Sequence, residues 1–188
     1  MKEDRILAKL KDFLDEKRYR HSLGVGEAAE RLAILYGEDK EKARLAGLVH
    51  DCARCFPPPK LIELSKEFHI ELDELCLHEI QLIHGILGAR IAQKEFHIHD
   101  PYILDAIEYH TTGRKNMTLL DKIICLADYI EPNRDYAGVD QLRQLAVCDL
   151  DEALICAFDK TIQYVICTRG LLHPRTIEAR NDLLLARL

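Results

Sequence analysis

Six ionisable side chains lie on apolar faces of the predicted helices, where burial is costly unless a group is paired, hydrogen-bonded or bound to a metal. The clearest case is the stretch AGLVHDCARC (46–55), which runs from small and apolar residues into adjacent His50 and Asp51. Helical spacing turns four more side chains toward apolar neighbours: those of His21, His84, His110 and Asp128. Imidazole and carboxylate together suit divalent iron, manganese, cobalt or zinc. The pattern therefore predicts a metal centre between helices.

The alternative for each histidine alone is a core residue with one good hydrogen bond. That explanation would have to hold separately on five helices, whereas a shared cation serves all of these side chains at once. His50 and Asp51 point about 100° apart on an ideal helix, so both can reach a cation beside it. Small residues around the set, such as Gly47 and Gly85, either let helices approach closely or leave room for a ligand.

The apolar periodicity is helical almost throughout the chain, without clear alternating strands. It predicts an all-α helical bundle with a single domain over residues 1–188. The predicted helices, each with ends uncertain by a few residues, span about 2–16, 20–36, 39–54, 59–67, 72–95, 101–112, 117–131, 139–146, 149–169 and 174–187.

Composition argues against several classes of protein. The formal net charge of −6 disfavours a general nucleic-acid binder. No stretch approaches the roughly 20 apolar residues needed to span a membrane, and the charged first residues lack the apolar core of a signal peptide. We expect a cytoplasmic protein whose seven cysteines stay reduced. Cys52 and Cys55 form one C-x-x-C pair without a second pair or a βαβ pattern, so a zinc or redox site is not favoured.

The ordered set His21, His50–Asp51 and Asp128 resembles the ligands of the HD-domain metal-dependent phosphohydrolases. His84 and His110 are similar to the extra histidines of members that bind two metals. Longer stretches narrow the resemblance, from about residue 18 to residue 181, to the bacterial YqeK-type family of symmetrical diadenosine tetraphosphate hydrolases. These stretches are LIHGILGAR (82–90), AIEYHTTGRKNM (106–117), KIICLADYIEPNRDYAGVDQLR (122–143) and LLHPRTIEARN (171–181).

Carried over by position, the resemblance implies that the metal ligands are His21, His50, Asp51 and Asp128. It places His84 and His110 on a second metal or on substrate phosphate, and the implied catalytic residues are Asp51, His84, His110 and Arg134. The implied substrate-binding residues are His21, Gly24, Arg54, His84, His110, Thr111, Asp128, Arg134, His173, Pro174, Arg175 and Thr176. Many relatives carry lysine where this chain has Arg54; arginine stays protonated, so we expect no proton donation there.

The segment His173–Thr176 also suggests phosphate binding on physical grounds. Pro174 suits the first position of a helix, whose free backbone N–H groups favour an anion. Arg175 adds a guanidinium fork that fits phosphate oxygens. The alternative is an ordinary helix start with a solvated arginine.

The reaction implied by the resemblance is attack of a metal-activated water on an inner phosphorus, which yields two ADP. The implied cofactor is iron, with manganese, cobalt or zinc as alternatives. The expected partners are a dinucleoside polyphosphate and ADP, without nucleic acid or membrane; a homodimer stays open.

Two other functions stay open as well. One is another HD-type nucleotidase or nucleotide phosphodiesterase. The other is a non-catalytic helical module that binds metal and nucleotide.

Overall fold

Eleven α-helices and one short 3₁₀ turn form the regular structure of residues 2–188, the part of the chain that the computed structural model describes. No strand occurs in this range, so the predicted all-α class is confirmed. In chain order the elements are α1 (Glu3–Phe13), α2 (Glu16–Tyr36), α3 (Lys40–Val49), α4 (Pro58–Glu67), α5 (Glu74–His78), the 3₁₀ turn (Ile80–Leu82), α6 (Ile83–Glu95), α7 (Pro101–Tyr109), α8 (Leu119–Ile130), α9 (Val139–Cys148), α10 (Leu150–Cys167) and α11 (Pro174–Leu185).

Local capping explains where the helices that carry the site begin and end. The Asp15 side chain accepts a hydrogen bond from Arg18 N at the start of α2, and Gly37 ends that helix in the left-handed conformation with φ 78°. Thr118 and Asp121 cap α8 reciprocally, each side chain accepting from the other's backbone N–H. These caps set both ends of α2 and the start of α8, and both helices contribute side chains to the centre described below.

Two glycines allow neighbouring helices to touch through their backbones. A Cβ on Gly47 of α3 would lie 2.9 Å from the Cα of Gly26 on α2. A Cβ on Gly85 of α6 would lie 2.6 Å from the carbonyl oxygen of Glu108 on α7. Any larger residue would push these helices apart. The close packing brings the end of α3 beside α2, and the start of α6 beside the end of α7.

Two predicted helices were wrong in extent. The predicted helix 39–54 ends at Val49, and residues 50–55 form turns in which Arg54 N donates to Asp51 O at 2.8 Å. The predicted helix 72–95 is broken, because Asp73 caps a separate short helix and Glu79 leaves helical geometry with φ −100° and ψ 66°. Both breaks lie beside site residues, and apolar spacing alone did not reveal them.

The apolar core extends from Ile6 to Leu183, and α8 packs against α2, α3, α7, α9 and α10. Ile123, Ile124 and Leu126 of α8 have essentially no exposed surface. In residues 2–188 no helix combines the length and the apolar character that crossing a membrane requires.

Candidate metal centre

The six residues singled out in the sequence meet at one place in the fold. His21 lies in α2, His50 and Asp51 at the end of α3, and His84 in the first turn of α6. His110 directly follows α7, and Asp128 lies in the last turn of α8. All are buried except Asp128, whose side chain is 23% exposed. Five helices or their ends thus contribute imidazole or carboxylate groups to one cluster.

One side of the cluster contains His21, His50, Asp51 and Asp128. His21 Nε2 lies 2.9 Å from Asp128 Oδ1 and 3.7 Å from Asp51 Oδ2. His50 Nε2 lies 3.7 Å from Asp51 Oδ2 and 3.9 Å from Asp128 Oδ1. Two imidazoles and two carboxylates therefore surround one small volume.

The orientation of three histidines follows from the carbonyl three residues earlier in each case. His50 Nδ1 donates to Gly47 O at 2.6 Å, and His110 Nδ1 donates to Ile107 O at 2.7 Å. His84 Nδ1 makes the same bond to the carbonyl of Gln81, which lies in the 3₁₀ turn before α6. With the proton on Nδ1, each neutral ring directs the lone pair of Nε2 into the cluster.

The Nε2 atoms of His21 and His50 are buried and have no hydrogen-bond partner among the described residues. The carboxylates of Asp51 and Asp128 lie within 4 Å of them without hydrogen-bond alignment. A buried lone pair without a donor is costly. A cation between these groups would satisfy both imidazoles and both carboxylates, so the residues present fit a divalent metal.

His84 and His110 form the other side of the cluster. Their Nε2 atoms lie 3.1 Å apart, and His84 Nε2 lies 3.2 Å from Asp51 Oδ1. Because both Nδ1 atoms donate to backbone carbonyls, two lone pairs would face each other at this distance. A proton, a second cation or a ligand hydrogen between them removes the repulsion. Thr111 Oγ1, 3.0 Å from His110 Nε2, is one donor within reach.

The electrostatics of the cluster favour bound positive charge. Burial lowers the pKa of His50 to about 4 and also lowers the pKa of His84. Burial acts in the same direction on His21 and His110, but neighbouring carboxylates outweigh it and raise their pKa. Burial would raise the pKa of Asp51, yet the surrounding imidazoles hold that pKa well below its usual range. The carboxylate therefore stays ionised in the protein interior.

Sequence reasoning missed Glu131, which orients His21. His21 Nδ1 lies 3.1 Å from Glu131 Oε1, and this glutamate is only 2% exposed. Its other oxygen accepts from Asn133 N at 2.7 Å and from Asn133 Nδ2 at 3.0 Å. A carboxylate behind a ligating histidine fixes its ring and raises its basicity. The available signal was the spacing from Asp128 to Glu131, three residues along one helix face.

Each cluster carboxylate is also bound by an arginine from the solvent side. Arg18 Nη1 donates to Asp51 Oδ2 at 2.8 Å, a contact that the sequence reasoning missed although Arg18 precedes His21 by one helical turn. Arg134 donates from Nη2 to Asp128 Oδ1 and from Nε to Asp128 O, the latter at 2.8 Å. The two guanidinium groups leave positive charge at the mouth of the site, where an anionic substrate would enter.

Three of the expected substrate-binding residues lie beside the cluster in different ways. Thr111 contacts the His84–His110 pair, with Oγ1 3.3 Å from His84 Nε2. Arg54 lies half-buried in the turn after Asp51. Gly24 is buried against Glu131, and a Cβ there would lie 2.4 Å from Glu131 Oε2. The missing side chain of Gly24 therefore leaves the space that Glu131 occupies behind His21.

The physical argument for an open helix start at His173–Thr176 was wrong. His173 Nδ1 accepts from Arg175 N at 3.2 Å, and Thr176 N donates to His173 O at 3.1 Å. His173 Nε2 lies 3.3 Å from Asp73 Oδ2, which explains its burial. The first backbone N–H groups of α11 thus already have acceptors. The Arg175 side chain, 5.5 Å from the Tyr109 ring centroid, lies next to the residue that precedes His110.

Two cavities border the cluster and share Arg134 and Tyr136 as a common wall. The polar cavity, of about 710 Å³, is lined by Lys17, Arg18, Arg20, His21, Glu131 and Arg134 among others. The tyrosine-lined cavity, of about 460 Å³, reaches His110, Thr111, Asp128 and Arg134 at its inner end, and its outer end carries Tyr129, Tyr136 and Tyr164. Both volumes lie in the range of about 300–1,000 Å³ typical of small-molecule sites.

Comparisons with known proteins agree with this geometry. The HD domain family matches residues 18–133, a range that includes all six cluster residues and ends just after Glu131. The chain is 40% identical over 185 residues to a protein of Halalkalibacterium halodurans named symmetrical bis(5'-nucleosyl)-tetraphosphatase, covering 98% of each. A Bacillus subtilis protein of the same name is 39% identical over 181 residues, which is 96% of this chain and 97% of the relative.

A solved structure from Clostridium acetobutylicum, described as a predicted HD superfamily hydrolase involved in NAD metabolism, superposes with a TM-score of 0.96. It is 51% identical and the match covers 99% of this chain and 98% of that one. Since sequence and fold agree over nearly the whole length, the chain belongs to the HD domain family, in the group of the symmetrical bis(5'-nucleosyl)-tetraphosphatases.

Proposed function

We propose that this protein hydrolyses dinucleoside tetraphosphates symmetrically and cleaves diadenosine tetraphosphate into two ADP. The observation that carries the proposal is the pair of unpartnered Nε2 atoms, those of His21 and His50, facing Asp51 and Asp128. This donor set suits a divalent metal, and the relatives over nearly the full chain carry the name of this activity.

The proposed ligands of the metal are His21, His50, Asp51 and Asp128. A bound divalent ion would supply a water acidic enough to attack near neutral pH and would screen charge on phosphoryl oxygens. Four protein ligands leave further positions open on an ion that prefers six. Imidazole and carboxylate donors without thiolate support iron, with manganese, cobalt and zinc as alternatives.

The chain's own groups then position the substrate and its nucleophile. Asp51, between the two sides of the cluster, accepts a hydrogen bond from the attacking water and aims it at an inner phosphorus. A proton on Nε2 of His84 or His110 relieves the contact between these two atoms and lets that ring donate to an oxygen of the phosphoryl group. Arg134, at the wall between the cavities, neutralises charge that grows on the phosphoryl oxygens in the transition state.

The leaving group is a nucleoside diphosphate, whose terminal phosphate is already stable as an anion. A dedicated general acid is therefore unnecessary, and Arg54 can contribute as a fixed positive charge without losing a proton. The Arg175 side chain, near Tyr109, is proposed to bind phosphate of the nucleotide half that lies toward α11.

Product analysis tests the proposal directly. Metal-loaded protein is incubated with diadenosine tetraphosphate, and ADP is expected as the only nucleotide product. Equal AMP and ATP would show asymmetric cleavage and overturn the assignment, although the metal centre would stand. A panel of other nucleotides separates this activity from those of other HD-type nucleotidases and phosphodiesterases. The panel includes NAD, because one similar solved structure is described as involved in NAD metabolism.

Replacement of Asp51 by alanine links the activity to the centre. We expect Asp51→Ala to lose turnover and most bound metal while the helical content is retained. Asp121→Asn is the matched control, because Asp121 is equally buried but caps α8 and pairs with Arg114 outside the cluster. Full metal and near-normal turnover in Asp51→Ala would contradict the proposed site. A metal-loaded wild type that binds nucleotide without cleaving any of the panel would contradict the proposed function.

Three further expectations remain proposals. The continuous core from Ile6 to Leu183 supports a single domain. All seven cysteines are free, which supports a reducing, cytoplasmic compartment that cell fractionation can test. A homodimer is testable by light scattering of the metal-loaded protein.

A further inference from the structure

The tyrosine-lined cavity combines two different chemistries at its two ends. Its inner end is formed by Asp128, His110 and Arg134, which belong to the metal centre. Its outer end is formed by tyrosine rings on α8, α10 and the segment after α8. A ligand that fills this cavity therefore needs an anionic end for the centre and an aromatic or apolar end for the tyrosines.

Two of the three tyrosine rings are held in place by hydrogen bonds without a ligand. Tyr136 Oη donates to the backbone carbonyl of Tyr129 at 2.9 Å. Tyr129 Oη pairs with Thr161 Oγ1 at 2.8 Å. Tyr164, one turn after Thr161 on α10, is 69% exposed at the rim, so its ring is free to pack against an incoming group. A cavity with fixed aromatic walls loses little freedom when it binds.

A cation also lines this cavity. Lys160 Nζ donates to Gly138 O at 3.2 Å and is the residue before Thr161 on α10. Lys160 and Arg134 thus give this cavity two positively charged lining residues. The polar cavity on the other side of Arg134 and Tyr136 is lined instead by Lys17, Arg18 and Arg20, and the shared Tyr136 is its one tyrosine.

We propose that the tyrosine-lined cavity binds one nucleoside half of the dinucleoside tetraphosphate, with its base packed on Tyr164 and its phosphates directed past Lys160 to the metal centre. The inference rests on the proposed function for the identity of the ligand. It goes further in one respect: a substrate with two equal halves meets an aromatic subsite with only one of them.

Steady-state kinetics on diadenosine tetraphosphate test this assignment with three variants on one helix. Tyr164→Ala is expected to raise KM about tenfold, the effect of losing one base–aromatic stack. We expect kcat to stay within about twofold, because the contact is remote from the cleaved bond and equal in ground and transition states. Tyr164→Phe keeps the ring and should keep the wild-type KM. Ile166→Ala is the matched control, since Ile166 is 63% exposed on α10 but does not line the cavity.

An unaltered KM in Tyr164→Ala, or an equal rise in Ile166→Ala, would overturn the proposal. A Tyr164→Ala protein whose oligomeric state differs from wild type would also overturn it, because the ring would then belong to a contact between copies. Calorimetric titration of metal-loaded protein with ADP separates this test from that of the function. If wild type binds ADP but cleaves no dinucleotide, the proposed function fails, and weaker ADP binding by Tyr164→Ala alone still supports the subsite.

Discussion

Glu131 Oε1 lies 3.1 Å from His21 Nδ1, although the two residues are 110 positions apart in the chain. The contact joins the end of α8 to α2 behind the metal centre. It orients the only cluster histidine whose Nδ1 does not donate to a backbone carbonyl three residues earlier. The Glu131 carboxylate thus orients the His21 ring, as backbone carbonyls orient the rings of His50, His84 and His110.

We expect Glu131→Ala to weaken metal binding by about 10- to 100-fold, the usual cost of losing such a partner. Glu131→Gln should recover part of the loss, because its amide oxygen can still accept from His21 Nδ1. Competition with a chelating dye measures the affinity. Glu27→Ala, an exposed change on the same helix as His21, is the control. Wild-type affinity in Glu131→Ala would mean that His21 is not a ligand.

Gly24→Ala should produce a similar loss by displacing that glutamate. The new Cβ would lie 2.4 Å from Glu131 Oε2, which is closer than atoms can approach. We expect metal affinity to fall about tenfold, and the effect should not add to that of Glu131→Ala because both act through one contact. Gly170→Ala is the control, since the nearest atom to its Cβ is 3.4 Å away. Additive losses in the double variant would contradict this account and leave Gly24 as a direct substrate contact.

Chelation should lower the thermal stability of the protein. A ligand at 100 times its Kd stabilises the folded state by about 2.7 kcal/mol. For a chain of this size that corresponds to a loss of about 5–10 °C in Tm when the metal is removed. Differential scanning calorimetry with and without a chelator measures the difference. Asp51→Ala should show no such shift on adding metal; an equal shift in both proteins would place the stabilising ion elsewhere.

The helical class and the cluster could be predicted from sequence, because both depend on periodicity. The i, i+4, i+7 spacing of His21, Val25 and Ala28 indicates which face of α2 is buried, whatever that face contacts. The break at Glu79 could not be predicted in the same way, since it depends on backbone geometry after a short capped helix. The Gln81 carbonyl that accepts from His84 Nδ1 lies in the 3₁₀ turn just after that break.

Contacts between residues distant in sequence were also beyond prediction. The contact of His173 with Asp73 joins positions 100 residues apart. It holds His173 at the start of α11, where its side chain caps the helix. The prediction that Pro174 is the first residue of a helix is confirmed, since α11 begins there. The cap that occupies the Arg175 N–H depends on a side-chain rotamer that the sequence does not specify.

Arg134 and Arg175 should differ in how their loss affects turnover. Arg134 lines both cavities and contacts the Asp128 carboxylate, so it lies at the proposed position of the cleaved bond. Arg134→Ala is therefore expected to lower kcat, because the charge it neutralises grows only in the transition state. Arg134→Lys keeps one positive charge and should recover part of the rate. Metal content is measured in each variant, since Arg134 also holds a proposed ligand.

Arg175, by contrast, lies on Tyr109 beside the cluster and lines neither of the two cavities. A charge-assisted phosphate contact is worth about 1.5–3 kcal/mol. If that contact is the same in ground and transition states, Arg175→Ala raises KM about 10- to 100-fold and leaves kcat nearly unchanged. Arg169→Ala, an exposed arginine before the same helix, is the control. An Arg175→Ala enzyme with wild-type KM would show that the start of α11 is structural, since its first backbone N–H groups are already occupied by His173.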